Sequence, residues 1–139
     1  MKRHLELASH GHLASGALSA LKILVGNKNN ISAVDCYVDN SFDLQKTVEK
    51  VISEHKEEDL IVVTDLFGGS VNNEFMQHLT DNVFLIAGMN LPFLLELAVN
   101  LDSPVPTKEI IQNALIASAK SLKFCNAIDL SETLQDENF

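Results

Sequence analysis

The apolar run at residues 60–63 constrains the fold more than any other stretch of this sequence. It reads Leu-Ile-Val-Val; the charged segment 54–59 precedes it, and Asp65 and the glycine pair 68–69 follow it. A run of this kind predicts a strand buried on both faces of a parallel sheet. The glycines allow a sharp turn, after which Ser70 is expected to open a helix whose first amides can bind an oxyanion or a phosphate. Asp65 would stand beside this turn, at the carboxyl end of the strand.

Strand and helix patterns alternate along the rest of the chain. Period-two or continuous apolar runs predict strands, and apolar residues at helical spacing predict helices. Such alternation favours a parallel sheet with right-handed crossovers and helices on both faces. We therefore expect a single α/β domain over residues 1–139, with a doubly wound sheet of strand order 2-1-3-4 and a possible extra C-terminal edge strand. The predicted strands are 5–8, 31–38, 60–64 and 83–87, with 124–130 as the possible edge strand, and the predicted helices are 14–25, 44–52 with an N-cap at Asn40-Ser41, 70–79, 93–99 and 107–122 capped by Thr107.

Charge and composition limit the classes of partner. The formal net charge of -9 argues against binding to nucleic acid or to an anionic membrane surface, because both require a basic face. No apolar run approaches the length of a membrane span, and the first residues lack the apolar core of a signal peptide, so we expect a cytoplasmic protein. Cys36 and Cys125 lie far apart without metal-site spacing and are predicted to be buried free thiols.

The ends of the first and third predicted strands carry the residues with the clearest chemical potential. In the expected sheet, His10 and Asp65 end neighbouring strands, roughly 5 Å apart, at the point where ligands bind to doubly wound folds. A carboxylate that accepts the N–H of one imidazole nitrogen fixes the tautomer and leaves a lone pair on the other. Beside an amide-rich turn, such a histidine is suited to phosphoryl transfer through phosphohistidine.

Three motifs together resemble the mannose-family enzyme IIA of the bacterial phosphoenolpyruvate-dependent sugar phosphotransferase system. They are Ser9-His10-Gly11, Thr64–Ser70 and Asn90–Glu96, at three successive strand ends. The resemblance implies that His10 accepts phosphate from the phosphocarrier protein HPr and passes it to a IIB partner, which serves the membrane components IIC and IID. It places the protein at the periphery of a membrane transporter. It also implies a homodimer, often with an exchanged C-terminal strand, for which residues 124–130 could serve.

The sequence yields a specific set of site assignments. His10 and Asp65 are predicted to be catalytic, and Gly69, Ser70 and Val71 to bind phosphate, although Ser70 could equally be a plain N-cap. Val71 stands where the family usually has proline, and Phe93 replaces a more usual methionine. No metal and no cofactor are expected, because there is no carboxylate cluster for magnesium near His10, no Walker lysine motif and no GxGxxG motif. Residues assigned outside the chemistry are His12, the solvated His4, His55 and His78, and the loop-shaping or dimer-packing Asn90 and Pro92.

Two other classes of function remain open at this point. A receiver-type domain would use Asp65 as the phosphoacceptor, but it would also need acidic metal ligands at the end of the first strand, where Ser9 and His10 stand. A regulatory module on the same fold would use phosphorylation of His10 only to report sugar supply. Adjacent genes for IIB, IIC and IID would favour transport over regulation. In the family a IIA domain hands on phosphate without touching the sugar, so its site does not encode which sugar is taken up.

Overall fold

The computed structural model describes residues 2–129 and contains a four-stranded parallel sheet of order β2-β1-β3-β4. The two central strands pair with each other, and each also pairs with one edge strand. The predicted doubly wound sheet and its strand order are therefore confirmed. The strands are β1 (Arg3–His10), β2 (Ile31–Cys36), β3 (Asp59–Thr64) and β4 (Val83–Ala87).

Helices cover both faces of this sheet. The core on one face is formed with α1, α4 and α5, and the core on the other face with α2 and α3. None of the helices among the described residues is long and apolar enough to cross a membrane. The helices are α1 (Leu13–Val25), α2 (Leu44–Glu54), α3 (Ser70–Met76), α4 (Leu91–Asn100) and α5 (Thr107–Ser118), followed by a single 3-10 turn at Cys125–Ala127.

Side chains of the central strands alternate between the two cores, as strand geometry requires. On β3, Ile61 and Val63 enter the core of α1, α4 and α5, whereas Leu60 and Val62 enter the core of α2 and α3. All four are at most 1% exposed, which confirms the predicted burial of this strand on both faces. Both central strands end at the same edge of the sheet, and this places the loops after them side by side.

Two helix starts differ from those predicted. The N-cap of α2 is Asp43, whose carboxylate accepts the Lys46 amide, rather than Asn40-Ser41. The reason is local: Asp39 binds the amide and hydroxyl of Ser41, which makes a separate turn before the helix. Pro106 occupies the N-cap position of α5, and the Thr107 hydroxyl donates to Asp59 instead of capping.

The predicted C-terminal edge strand does not form in the described part of the chain. Residues 125–127 adopt a 3-10 turn, in which the Ala127 and Ile128 amides donate to the carbonyls of Phe124 and Cys125. These short-range bonds use the amides that a strand would offer to a neighbour. Leu130, the last residue of the prediction, lies outside the described residues. The prediction of two buried thiols is right for Cys36 and wrong for Cys125, which is exposed.

Candidate functional site

The candidate site centres on His10, the last residue of β1. Its side chain is 44% exposed, because β1 emerges from the sheet at this point and Gly11 turns the chain away with a φ of +57°. The Gly11 amide donates to the Cys36 carbonyl at 2.8 Å, so the turn is anchored to the end of β2. The backbone therefore holds the imidazole at the sheet edge, open to solvent.

Asp65 binds His10 through both its backbone and its ring. One carboxylate oxygen, Oδ2, accepts the His10 amide at 2.8 Å and lies 2.8 Å from Nδ1 of the same residue. The other oxygen, Oδ1, accepts the Leu66 amide at 3.0 Å. With both oxygens engaged and the side chain 9% exposed, the carboxylate is held rigidly. The predicted meeting of His10 and Asp65 in one crevice agrees with this geometry.

The electrostatics of the pair keep Asp65 ionised. Burial alone would raise the pKa of Asp65, but the hydrogen bonds from the His10 amide and ring, together with the charge of the imidazole, hold this pKa below its usual value. An ionised carboxylate can only accept, so Nδ1 of His10 carries a proton, and in the neutral form of the ring the free lone pair is on Nε2. The geometry thus orients Nε2 as a nucleophile or base.

Ser70 and Tyr37 surround the Nε2 edge of the ring. The Ser70 hydroxyl lies 3.4 Å from Nε2 and is hydrogen-bonded to the Tyr37 hydroxyl at 2.8 Å. The Tyr37 ring stacks on the imidazole, with a centroid separation of 5.3 Å and an interplanar angle of 22°. Ser70 is the first residue of α3 and Gly69 is the N-cap, so the reading of Ser70 as a plain N-cap is wrong.

Tyr37 is a site residue that sequence reasoning missed. It has a φ of +64°, in the left-handed region that side chains other than glycine rarely adopt. Such strain persists only where surrounding contacts enforce it, and here the Tyr37 side chain contacts His10, Ser70 and the Phe42 ring. The sequence prediction continued β2 to Val38, whereas the strand ends at Cys36 and the chain turns to bring Tyr37 over the imidazole.

Removing the Tyr37 hydroxyl gives a test of its role. We expect Tyr37→Phe to keep the ring stack and the fold while freeing the Ser70 hydroxyl, and so to slow the phosphorylation that the sequence predicts at His10 by a few-fold, about the effect of one neutral hydrogen bond. Initial rates of labelling, compared with those of the wild-type protein at equal circular dichroism, measure this. An unchanged rate would reduce Tyr37 to a packing residue.

The turn between β3 and α3 faces the same edge. Gly68 has a φ of +82°, which favours glycine at that position, whereas a Cβ on Gly69 would lie 3.0 Å from the half-exposed Leu66 side chain and would only require that side chain to shift. The Gly69 amide already donates to the Leu66 carbonyl at 3.4 Å. The Ser70 amide, in the first turn of α3, has no intrahelical acceptor and can bind an anion. Val71 is 0% exposed in the core of α2 and α3, so the structure does not support its predicted place in the phosphate site.

The other histidines fall into two groups. His12 is 78% exposed in its side chain and pairs with Asp35 at 2.8 Å instead of with Asp65, consistent with a place outside the His10 pocket. His78 pairs with Glu74 on α3. The prediction of solvated positions is wrong for His4, which is 6% exposed, and for His55, whose ring stacks on His4 at 3.7 Å. His4 and His55 are 51 residues apart in the sequence, so no local sequence pattern predicts that their rings stack.

The fold and site together define a class: a doubly wound α/β protein with a carboxylate-oriented histidine at the switch point of its sheet. Residues 5–115 match the protein-family model described as the PTS system fructose IIA component. The chain belongs to the mannose family of IIA components of the sugar phosphotransferase system.

Individual proteins support this membership. The sorbose-specific EIIA component of Klebsiella pneumoniae is 30% identical over 101 residues, which cover 70% of this chain and 73% of that protein. The mannose/sorbose specific IIA subunit from Enterococcus faecalis has a solved structure with a TM-score of 0.74 and 27% identity, covering 93% of this chain and 96% of that one. A solved Klebsiella pneumoniae protein, named after the phosphoenolpyruvate-dependent sugar phosphotransferase system, reaches a TM-score of 0.86 at 36% identity over 91% and 93% of the two chains.

Proposed function

We propose that this protein carries a phosphoryl group, accepting it from HPr on Nε2 of His10 and passing it to a IIB partner for sugar uptake. The observation that carries the proposal is the 2.8 Å contact between Asp65 Oδ2 and His10 Nδ1. That contact orients the lone pair of Nε2 toward solvent, where a second phosphoprotein can reach it. Sugar phosphotransferase membership supports the same reading.

The chemistry requires only positioning and charge stabilisation. The Nε2 lone pair attacks phosphorus, the bond from phosphorus to the donor histidine breaks, and the donor nitrogen keeps the electron pair. His10 becomes positively charged in the ring as the new bond forms, and Asp65 offsets this charge through Nδ1–H. Ser70 lines the side where the phosphoryl oxygens come to rest, with its hydroxyl 3.4 Å from Nε2, and the turn at Gly69 holds it there.

An exposed apolar rim beside His10 suits docking of a carrier protein. Leu66 and Phe67, in the turn after β3, are 50% and 81% exposed, and Leu13 at the start of α1 is 52% exposed. Apolar and aromatic side chains around a polar centre are typical of protein interfaces. HPr and the IIB partner would use this rim in turn. The setting is the cytoplasm, beside a transporter made of IIC and IID.

Reconstitution tests the proposal. We expect the purified protein, incubated with labelled phosphoenolpyruvate, enzyme I and HPr, to acquire one acid-labile and alkali-stable phosphoryl group. Addition of IIB should then remove the label. Failure of labelling while HPr itself is phosphorylated would contradict the carrier function, and a labelled protein that transfers to no IIB would favour the regulatory module instead.

We also propose that the chain forms a homodimer. The apolar segment Leu91–Leu95, which also suggests a dimer surface in the sequence, is only partly available, because Phe93 and Leu94 are 2% and 0% exposed in the core of their own chain whereas Leu91 is 38% exposed. Exposed apolar side chains gather instead on α5 and the segment after it. They are Leu115 at 47%, Ile116 at 76%, Leu122 at 96% and Phe124 at 74% exposed.

Charge substitution on that surface tests the dimer. Light scattering at micromolar concentration should give a mass of twice 15.3 kDa for the wild-type chain. Ile116→Glu and Leu122→Glu should give monomers, because each would place a charge in the dimer interface. Each would also remove apolar area whose burial stabilises the dimer by about 25 cal/mol per Å². Ile23→Glu on α1, at a residue 86% exposed, is the matched control. A wild-type monomer would contradict the dimer, and dissociation by Ile23→Glu alone would move the interface to α1.

A further inference from the structure

A cluster of polar side chains lies at the amino ends of β1 and β3, the edge of the sheet opposite His10. His4 and Glu6 occupy the face of β1 that packs under α2, at 6% and 4% exposure. His55 follows the last turn of α2 and stacks on His4 at 3.7 Å with an interplanar angle of 15°. Glu58 directly precedes β3. Burying two imidazoles and a carboxylate where a strand would carry apolar residues costs stability unless a ligand or a dense network offsets it.

A hydrogen-bond relay fixes the tautomer of His4. The Ser32 hydroxyl donates to Glu6 Oε1 at 2.7 Å, so its oxygen accepts from Nε2–H of His4, 2.6 Å away. With the proton on Nε2, Nδ1 of His4 carries a lone pair. Carboxylate or hydroxyl partners that hold one imidazole nitrogen in this way commonly orient the other toward a metal ion.

His55 has a carboxylate near each of its two ring nitrogens. Its Nε2 lies 3.9 Å from Oε1 of Glu6, and its Nδ1 lies 2.9 Å from Oε1 of Glu58. Glu6 therefore faces the Nε2 atoms of both imidazoles. One ligand atom from each of His4, His55 and Glu58 lies within 4.8 Å of the other two. All three residues line a cavity of about 760 Å³ that opens to solvent.

We propose that His4, His55 and Glu58 bind a zinc ion, with Glu6 and Ser32 as the supporting hydrogen-bond partners. Two imidazole nitrogens and one carboxylate oxygen are a common zinc donor set, and the fourth tetrahedral position is left to water from the cavity. Hard cations such as Mg²⁺ and Ca²⁺ prefer oxygen ligands only. The carboxylates of Glu6 and Glu58 balance the charge of the ion.

Coordination needs only small changes. Ligand atoms around tetrahedral zinc lie about 3.3 Å apart, so side-chain rotations within the cluster suffice. His55 changes tautomer: the proton leaves Nδ1, which then binds the ion, and is carried on Nε2, which faces Oε1 of Glu6. The ion would then join β1, α2 and β3 and raise the free energy of unfolding by binding only the folded state. His4 and His10 are six residues apart on β1, about 20 Å, so phosphorylation and zinc binding are separate.

Calorimetric titration of Zn²⁺ into chelator-treated protein tests the site, in a Cys125→Ser background that removes the exposed thiol. We expect one saturable equivalent of zinc and an increased Tm. His55→Gln and Glu58→Gln, which alter partly exposed ligands, should each weaken binding at least 10-fold, and Ser32→Ala by about 10- to 100-fold through the misoriented His4 ring. Mg²⁺ and Ca²⁺ should give no saturable binding.

Matched controls identify the site. His78→Gln removes a histidine paired with Glu74 at 3.5 Å, and His12→Gln removes one paired with Asp35; both should bind zinc as the wild type does. His10→Ala should also keep zinc binding, which separates this site from the proposed phosphoryl carrier. No saturable binding, or equal affinity in the wild type, His55→Gln and Glu58→Gln, would overturn the proposal. Loss of binding in His10→Ala or His12→Gln would place the ion at the other edge of the sheet.

Discussion

His10→Ala should accept no phosphate from HPr while the fold remains intact. The loss is complete because the proposed nucleophile is Nε2 of His10, and no other imidazole of the site is held by Asp65. Since His10 is an exposed side chain at the end of β1, its removal leaves both hydrophobic cores untouched. Labelling after incubation with phosphoenolpyruvate, enzyme I and HPr measures the loss, and circular dichroism checks the fold.

His12→Ala is the matched control for this experiment. His12 stands two residues away, contacts a carboxylate of its own at 2.8 Å, and is more exposed than His10. Its removal should leave labelling near the wild-type level. If His10→Ala were still labelled and His12→Ala were not, the phosphoacceptor would be the pair formed by His12 and Asp35, and the proposed site would be wrong.

Sequence periodicity was sufficient for the architecture and for the principal pair. The aliphatic run before Asp65 indicated a buried strand, and the strand order common in doubly wound sheets placed that strand beside β1. Because neighbouring parallel strands end at the same edge of the sheet, this order predicted that His10 and Asp65 lie close together. This part of the site follows from backbone topology, which local patterns encode well.

The parts that sequence reasoning missed depend on side chains meeting across the fold. Tyr37 reaches the imidazole because β2 ends at Cys36 and Tyr37 itself adopts a positive φ. A tyrosine in the sequence gives no indication of this backbone conformation, which side chains other than glycine rarely adopt. His4 and Glu6 interrupt the apolar pattern of β1, and His4 was predicted to be solvated, yet both are buried and the His55 ring stacks on His4. Tertiary pairing of polar groups offsets their burial, and that compensation is invisible in any window of sequence.

The second large effect is expected at Asp65. Asp65→Asn keeps the size of the side chain but presents no charge, so the tautomer of His10 is no longer fixed and the developing ring charge is no longer offset. We expect transfer to slow by about 10- to 100-fold, the usual cost of losing a partner that orients a functional imidazole. Asp65→Ala should be at least as slow. Asp35→Asn, at the carboxylate that pairs with His12, is the matched control and should react at the wild-type rate.

The pH dependence follows from the lowered pKa of Asp65. A carboxylate whose pKa is lower in the folded state adds stability above its unfolded value, about 3.9, and loses it as the pH falls through the folded value. Above about pH 5, Asp65 is therefore ionised, and its own titration does not change the labelling rate there. The contribution of Asp65 to folding should disappear only in acid, and Asp65→Asn should flatten the acid limb of the stability curve measured by denaturant titration.

The same variants separate His10 from Asp65 as the phosphoacceptor. Asp65 Oδ2 accepts both hydrogen bonds from His10, Oδ1 accepts the Leu66 amide, and the side chain is 9% exposed, so an incoming phosphoryl group reaches Asp65 less easily than the 44% exposed His10 ring. If Asp65 were the acceptor, Asp65→Asn and Asp65→Ala would abolish labelling altogether, and His10→Ala would retain an acyl phosphate that is stable in mild acid. If His10 is the acceptor, the Asp65 variants label slowly and His10→Ala does not label. A wild-type rate in folded Asp65→Ala would contradict both mechanisms, because the imidazole would then act without its carboxylate.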